Sequence, residues 1–294
     1  MDILYELPLE MEKEKLANVV CDCLNMDCPQ PDLNDWIAMV DAWKNPKHKV
    51  KIALVGKYVS LHDAYISVVE ALKHGAVANN SEVEIKWVDS ELISDYNVHE
   101  FLADVDGIIV PGGFGDRGIE GMICAIRYAR EQKVPYLGLC LGMQLTIVEF
   151  ARNVVGLEDA HSNEFSTMTT NPVIHIMPDK EGITNLGGTL RLGAYPCNLV
   201  DNSKALELYG SKTIEERHRH RYEVNNKYRE VLQEYGMLLS GFSPDGRIVE
   251  MIEIPDHPWF IGTQAHPEFK SRPNKPHPLF KGFLSAALDY QKKK

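Results

Sequence analysis

Two rhythms of apolar residues alternate along the middle of the chain. Residues 50–55 are a short apolar run, 63–78 carry apolar positions at helical spacing, 82–88 alternate with period two, and 105–110 are again almost wholly apolar. Residues 118–132 then read as a helix, 134–139 as a fourth strand and 141–153 as the helix that follows it. This alternation predicts an α/β fold: a doubly wound, mainly parallel sheet with helices on both faces. In such sheets the active site lies at the carboxyl ends of the strands.

Beyond Gly156 the rhythm shortens. Residues 171–177, 189–200, 237–242 and 248–254 read as additional, partly antiparallel strands, and 261–264 as a last short one. A turn-rich bridge covers 255–260, a closing helix 276–291, and the polar, glycine-containing stretch 178–188 is expected to be a mobile loop. Residues 1–47 lack strand alternation; they suggest helices over 10–20 and 33–43, the second capped by Asp32 or Asn34. The division expected is therefore 1–47 as a partly helical linker or tail and 48–294 as the main domain.

Candidate chemistry enters at Gly138-Leu139-Cys140-Leu141-Gly142. Gly-x-Cys-x-Gly between a strand and a helix has the form of a nucleophile elbow, in which flanking glycines remove Cβ atoms from a sharp turn. A cysteine there sits at the positive end of the following helix, which favours thiolate over thiol. An isolated cysteine in an apolar run is usually inert core. Two further stretches change that reading: Val110-Pro111-Gly112-Gly113-Phe114-Gly115, a glycine turn at a strand end, and Gln264-Ala265-His266-Pro267-Glu268-Phe269. The extended backbone favoured before Pro267 and a period of two predict that His266 and Glu268 project to one side. Cys140 as nucleophile, His266 as base, Glu268 as its orienting carboxylate, and the amides of Gly113 and Leu141 as an oxyanion hole make the set that acyl transfer through a thioester requires. Gly113, lacking Cβ, is expected to take an unusual φ.

Composition narrows the classes. A formal charge of −11 argues against nucleic acid or an anionic membrane surface as partner. Gly56-Lys57 lies outside any G-x-x-x-x-G-K-[ST] frame, so no P-loop is expected. The six cysteines form no disulfide framework, and no signal peptide or long apolar span is visible, which suggests a cytoplasmic, reducing setting. Cys21, Cys23 and Cys28 lack the paired C-x₂-C spacing of structural zinc sites, and no metal is expected. The run Arg217-His218-Arg219-His220-Arg221 is balanced by Glu215, Glu216 and Glu223 and reads as loop structure and substrate positioning.

Pro111-Gly112-Gly113, Gly138 to Gln144 and His266-Pro267-Glu268 together resemble the class I, triad-type glutamine amidotransferase domain. More narrowly, Glu120-Gly121-Met122, Asn163-Glu164-Phe165, Gly187-Gly188-Thr189-Leu190-Arg191-Leu192-Gly193 and the Arg217 to Asn225 stretch are similar to the C-terminal glutaminase domain of the CTP synthases. The resemblance implies hydrolysis of L-glutamine to glutamate and ammonia, with Gly112, Gly113, Leu141, Gly142, Met143, Gln144, Glu164 and Arg221 binding the substrate. It further implies a synthetase domain, absent from this chain, that uses the ammonia to aminate UTP to CTP. ATP, UTP, Mg²⁺ and a GTP effector belong with that full-length enzyme, a homo-oligomer, tetrameric by the same resemblance; the glutaminase domain itself needs no cofactor. Two other readings stay open at this stage: a different amidotransferase subunit or γ-glutamyl hydrolase, and a non-catalytic assembly or regulatory module of the same fold.

Overall fold

The near-continuous apolar runs become the centre of a nine-stranded sheet. A computed structural model describes residues 3–27, 29–176 and 190–294; the expected loop at 178–188 lies outside them. The chain begins with helices α1 (Leu7–Lys13), α2 (Leu16–Cys23) and α3 (Asn34–Lys44). The alternating strand–helix part follows as β1 (His48–Gly56), α4 (Ile66–Val77), β2 (Ser81–Asp89), α5 (Val98–Leu102) and β3 (Gly107–Val110). It continues with α6 (Ile119–Glu131), β4 (Tyr136–Leu139) and α7 (Leu141–Phe150), which ends in a π-helical turn, Ala151–Val155. The second half supplies β5 (His161–Ser162), β6 (Pro172–Ile176), β7 (Arg191–Leu199), α8 (Lys204–Tyr209), β8 (Thr213–His220) and β9 (Tyr222–Val224). Then come α9 (Arg229–Glu234), β10 (Leu238–Phe242), β11 (Val249–Glu253), β12 (Phe260–Thr263) and α10 (Pro278–Lys293).

Strand order in the large sheet is β2-β1-β3-β4-β12-β11-β10-β7-β8. The first five strands are mutually parallel and the rest antiparallel. A separate sheet, β5-β6-β9, covers the outer side of α7. That cover explains why all ten residues of α7 are buried, including Glu149, which is held by two nitrogens of Arg130 at 2.8–3.2 Å. Helices on both faces bury two apolar layers. One lies under α6 and α7 and includes Ile126, Tyr136 and Ile147; the other lies under α4 and α10 and includes Ile52, Leu72 and Phe283. Phe280 and Phe283, both 0 % exposed, each contribute about 1.5–3 kcal/mol by leaving water.

Three expectations need correction. The helix over 10–20 is two helices, α1 and α2, broken where Lys15 adopts φ 57°; like charges at Glu10 and Glu14, one turn apart, weaken the helix there. Neither Asp32 nor Asn34 is the N-cap of α3, which is Leu33 with no side-chain cap; Asp32 lies one residue further out and accepts from the Asn34 amide at 3.0 Å. The Arg217 to His220 run is strand β8 and not a loop: glutamate and histidine side chains at 216, 218 and 220 point inward while Glu215, Arg217 and Arg219 point out. The N-terminal segment is also docked, with Tyr5, in a 3₁₀ turn before α1, donating to Glu70 of α4 at 2.9 Å and its ring tilted against that of Trp43 of α3.

Candidate active site

Strand β4 runs between β3 and β12, and all its residues are buried. The chain then turns at Cys140, whose φ of 49° and ψ of −98° are a costly conformation for a residue with a Cβ. Neighbours hold it there: the Cys140 amide donates to Thr263 O of β12 at 2.7 Å, and its carbonyl accepts the first helical bond from Gln144 N at 3.1 Å. Gly142 makes the turn possible, since a Cβ at that position would lie 2.1 Å from the carbonyl oxygen of Val110. Strand, elbow and helix are therefore as the sequence pattern demanded.

Past β12 the chain delivers the second partner. The His266 amide donates to Arg217 O of β8 at 2.7 Å, and Pro267–Phe269 forms a 3₁₀ turn. That turn folds Glu268 back until its Oε1 accepts from Nδ1 of His266 at 2.7 Å. The pair meets by turn closure, with Pro267 supplying a preset φ, and not by the period of two expected from sequence. With Nδ1 committed to the carboxylate, the other ring nitrogen is left for the Cys140 sulfur, with which the imidazole interacts. Burial alone would lower the His266 pKa, but the sulfur and Glu268 outweigh it and push it up to about 10. The imidazolium is accordingly the resting form near neutrality.

The glycine turn completes the rim. Gly112 lies against the histidine: a Cβ there would be 2.8 Å from Cε1 of His266. The left-handed backbone falls at Gly115 (φ 78°) and not at Gly113, where a Cβ would meet nothing nearer than 3.3 Å. Close approach and not unusual torsion is what the turn requires at its first glycine. The amides of Gly113 and Leu141 have no hydrogen-bond acceptor among the described residues, as befits a loop tip and the first residue of a helix.

Cys140, His266, Glu268, Gly112 and Gly113 line one cleft of about 320 Å³, together with Tyr58, Phe114 and Arg219. A narrow slot beside it is bounded by Gly113, Cys140, Leu141, Gln144, Glu164, Arg221 and Tyr222. Glu164 is held mostly buried, which raises its pKa against the pull of the Gly115 amide, Arg221 and Lys57. Two expected substrate contacts fall elsewhere. Met143 is 0 % exposed in the core and Gly142 abuts Val110, so neither side lines the cleft or the slot. Gln144 borders the slot but turns its amide nitrogen inward, to Tyr222 O at 3.0 Å and Gln264 Oε1 at 3.1 Å.

Sequence reasoning missed two residues here, Lys57 and Gln264, and named a third, Arg219, only within a run read as substrate positioning. Lys57, 2 % exposed, reaches across from the end of β1 to donate to Phe114 O at 3.2 Å and Gly115 O at 2.5 Å, pinning the glycine turn; burial lowers its pKa. Arg219 borders both cavities and stands over the Phe114 ring. Gln264 is fully buried against the Cys140 sulfur. Only for Arg219 did the sequence hold a signal, the alternation Arg-His-Arg-His, which is a strand pattern.

Among the described residues no cluster of three or more histidine, cysteine, aspartate or glutamate side chains could hold a metal ion, and no helix is long and apolar enough to cross a membrane. The family model for "Glutamine amidotransferase class-I" matches residues 60–286. A CTP synthase of Clostridium beijerinckii is 58 % identical over 291 residues, 99 % of this chain and 54 % of that protein. One from Ruminiclostridium cellulolyticum is 57 % identical over 292 residues, again 99 % and 54 %. The chain thus spans about half the length of these relatives. Among solved structures, the glutaminase domain of Trypanosoma brucei CTPS with bound acivicin superposes with a TM-score of 0.77 at 39 % identity, covering 82 % of this chain and 94 % of that one. With sheet order, elbow and His–Glu pair in the same frame, the chain belongs to the class-I glutamine amidotransferase family.

Proposed function

We propose that this chain is the glutaminase portion of a CTP synthase, releasing ammonia from L-glutamine through a cysteine thioester. The observation that carries the reading is the line Cys140, His266, Glu268 at the wall of one cleft, beside two uncommitted amides. The Cys140 thiolate attacks the side-chain amide carbon. The carbonyl oxygen becomes an oxyanion, taken up by the amides of Gly113 and Leu141, donors of a kind worth roughly 3–4 kcal/mol in barrier height. His266, resting as the imidazolium, gives its proton to the departing nitrogen, the C–N bond breaks, and ammonia leaves. Water then attacks the γ-glutamyl thioester while neutral His266 takes its proton. The C–S bond breaks, glutamate departs, and thiolate and imidazolium are restored. Glu268 keeps the ring oriented throughout. In the slot, Arg221 suits the substrate α-carboxylate and Glu164 its α-ammonium, while Gln144 shapes the wall.

The rest of the reading is proposed by resemblance to the relatives named CTP synthase. Residues 1–47 would link this domain to a synthetase domain, where ATP, UTP and Mg²⁺ act and the ammonia aminates UTP to CTP. GTP as effector and a homo-oligomeric, tetrameric full-length enzyme belong to the same proposal, and no residue of this chain is assigned to any of those nucleotides. The five described cysteines, each a free thiol, agree with a cytoplasmic setting.

The test is acivicin, the compound bound in the trypanosomal glutaminase domain. Incubation followed by peptide mass spectrometry should place one adduct on Cys140, and Cys140→Ala should lower ammonia release from glutamine by at least ~10⁴-fold in a folded chain. Adducts on other cysteines with Cys140 untouched, or undiminished release by the variant, would overturn the reading.

A further inference from the structure

Cys140 has a second polar neighbour that the triad does not include. Gln264, 0 % exposed, places Nε2 3.6 Å from the sulfur, a length suited to an N–H···S contact. Which end of a buried carboxamide faces a neighbour has to be argued, and here the surroundings decide it. The carbonyl of Tyr222 can only accept, so Gln144 must present its NH₂ group to it, at 3.0 Å. That same NH₂ reaches the side chain of Gln264 at 3.1 Å, so Gln264 must present its oxygen there. Its own NH₂ is then turned to Cys140. The carbonyl at the head of this chain is fixed from the other side as well, since His220 Nδ1 approaches Tyr222 O at 2.9 Å. Burial lowers the His220 pKa well below the usual histidine value, so the ring is neutral and Nδ1 carries its proton. Behind it stand His218, 3.2 Å from His220, and Glu250, 2.8 Å from His218. Glu250 also pins Gln264 by its main chain, accepting from the Gln264 amide at 2.8 Å.

From this geometry we infer that Gln264 is a further catalytic residue, whose side-chain N–H donates to the Cys140 thiolate and lowers the proton affinity of the sulfur. The inference rests on the reading of Cys140 as nucleophile. A donor to the charged form favours that form, and a buried donor fixed by its own neighbours need not reorganise when the sulfur ionises. The other charged or titratable groups around the sulfur are His266 and Glu268 beyond β12, Arg219 and His220 on β8, Glu164, Arg221 and Tyr222 across the slot, and Tyr58 and Tyr65 at the cleft, while the Arg219 carbonyl lies 4.0 Å from the sulfur as an acceptor. None of them shares the Gln264 position on the inner side of the elbow. Gln264 thus balances the charge on sulfur without competing with His266 for the proton that ammonia needs.

The experiment is the pH dependence of Cys140 alkylation by iodoacetamide in the whole chain, followed on the Cys140 peptide by mass spectrometry. Gln264→Met keeps bulk and removes the donor. It should raise the midpoint by about one pH unit, so that below the original midpoint alkylation slows ~10-fold. Gln144→Met leaves Gln264 in place but frees its carboxamide to turn, and should give a smaller shift of the same sign, roughly 3-fold in rate. A midpoint unmoved in Gln264→Met, with the near-ultraviolet circular dichroism of the natural chain retained, overturns the inference. Should that variant fail to fold, an unmoved midpoint in Gln144→Met overturns it instead. The readout needs no glutamine, so the two readings separate. A shifted midpoint in a chain that neither releases ammonia nor takes up acivicin upholds the hydrogen bond and removes the glutaminase. Normal ammonia release with unshifted midpoints does the reverse.

Discussion

Among the described residues are three buried histidine–glutamate pairs of nearly equal length, and two of them differ instructively in what surrounds them. His266 and Glu268 meet at 2.7 Å, His277 and Glu216 at 2.8 Å. At His277 both ring nitrogens are occupied by structure: Nε2 faces Glu216, Nδ1 accepts from the Leu279 amide and so caps α10, the main-chain amide donates to Ser271, and Tyr209 donates to Glu216 at 3.0 Å. At His266 one ring nitrogen is left facing a sulfur and an open cleft. Pair geometry is therefore shared by a joint and a reaction centre; the uncommitted nitrogen separates them.

Substitutions can break that contrast or sharpen it. The largest effect is expected at Glu268→Gln, which keeps the shape but lets the ring adopt the wrong tautomer: ammonia release should fall about 10³-fold, and a fall of less than 10-fold would put the two pairs in one class. His277→Ala should instead cost about 3 kcal/mol of stability, since it strands a buried carboxylate, while the folded chain keeps its turnover within about 3-fold. Denaturant titration and ammonia assay on the same sample check both halves, and a turnover collapse with stability intact would refute the division. The smallest effect is a pH dependence. Because the Cys140 sulfur and then Glu268 raise the His266 pKa from 6.5 to about 10 against burial, the stability these contacts contribute is fully present below pH 6.5 and is lost as pH climbs through 10, and Glu268 supplies part of it. Glu268→Gln should therefore be less stable by about 2 kcal/mol at pH 6, with the gap closing as pH approaches 10. A gap that stayed constant across that window would mean the carboxylate is not bonded to an imidazolium.

How much could be read from residues alone follows the same division between local and distant causes. β1, β3 and β4 were legible because strands buried on both faces are apolar throughout, and their flanking helices are long enough to show a period. Helices α5, α8 and α9 run only five or six residues and show none. β8 was hidden because its inward side chains are glutamate and histidine, satisfied by partners far along the chain such as Glu250 for His218. In the site, elbow and glycine turn are encoded within a few residues. Lys57 and Gln264 act on atoms 58 and 124 positions away, and no local spacing could point to them.

Helix α7 leaves no face to solvent, and its one acidic side chain is clasped by Arg130. A survey of tolerated replacements would consequently mark the whole stretch after the elbow as intolerant, Ile147 as firmly as Leu141, for reasons of space alone. Sensitivity to replacement is thus a poor guide to chemistry in this part of the protein, and reactivity of the sulfur is the better one.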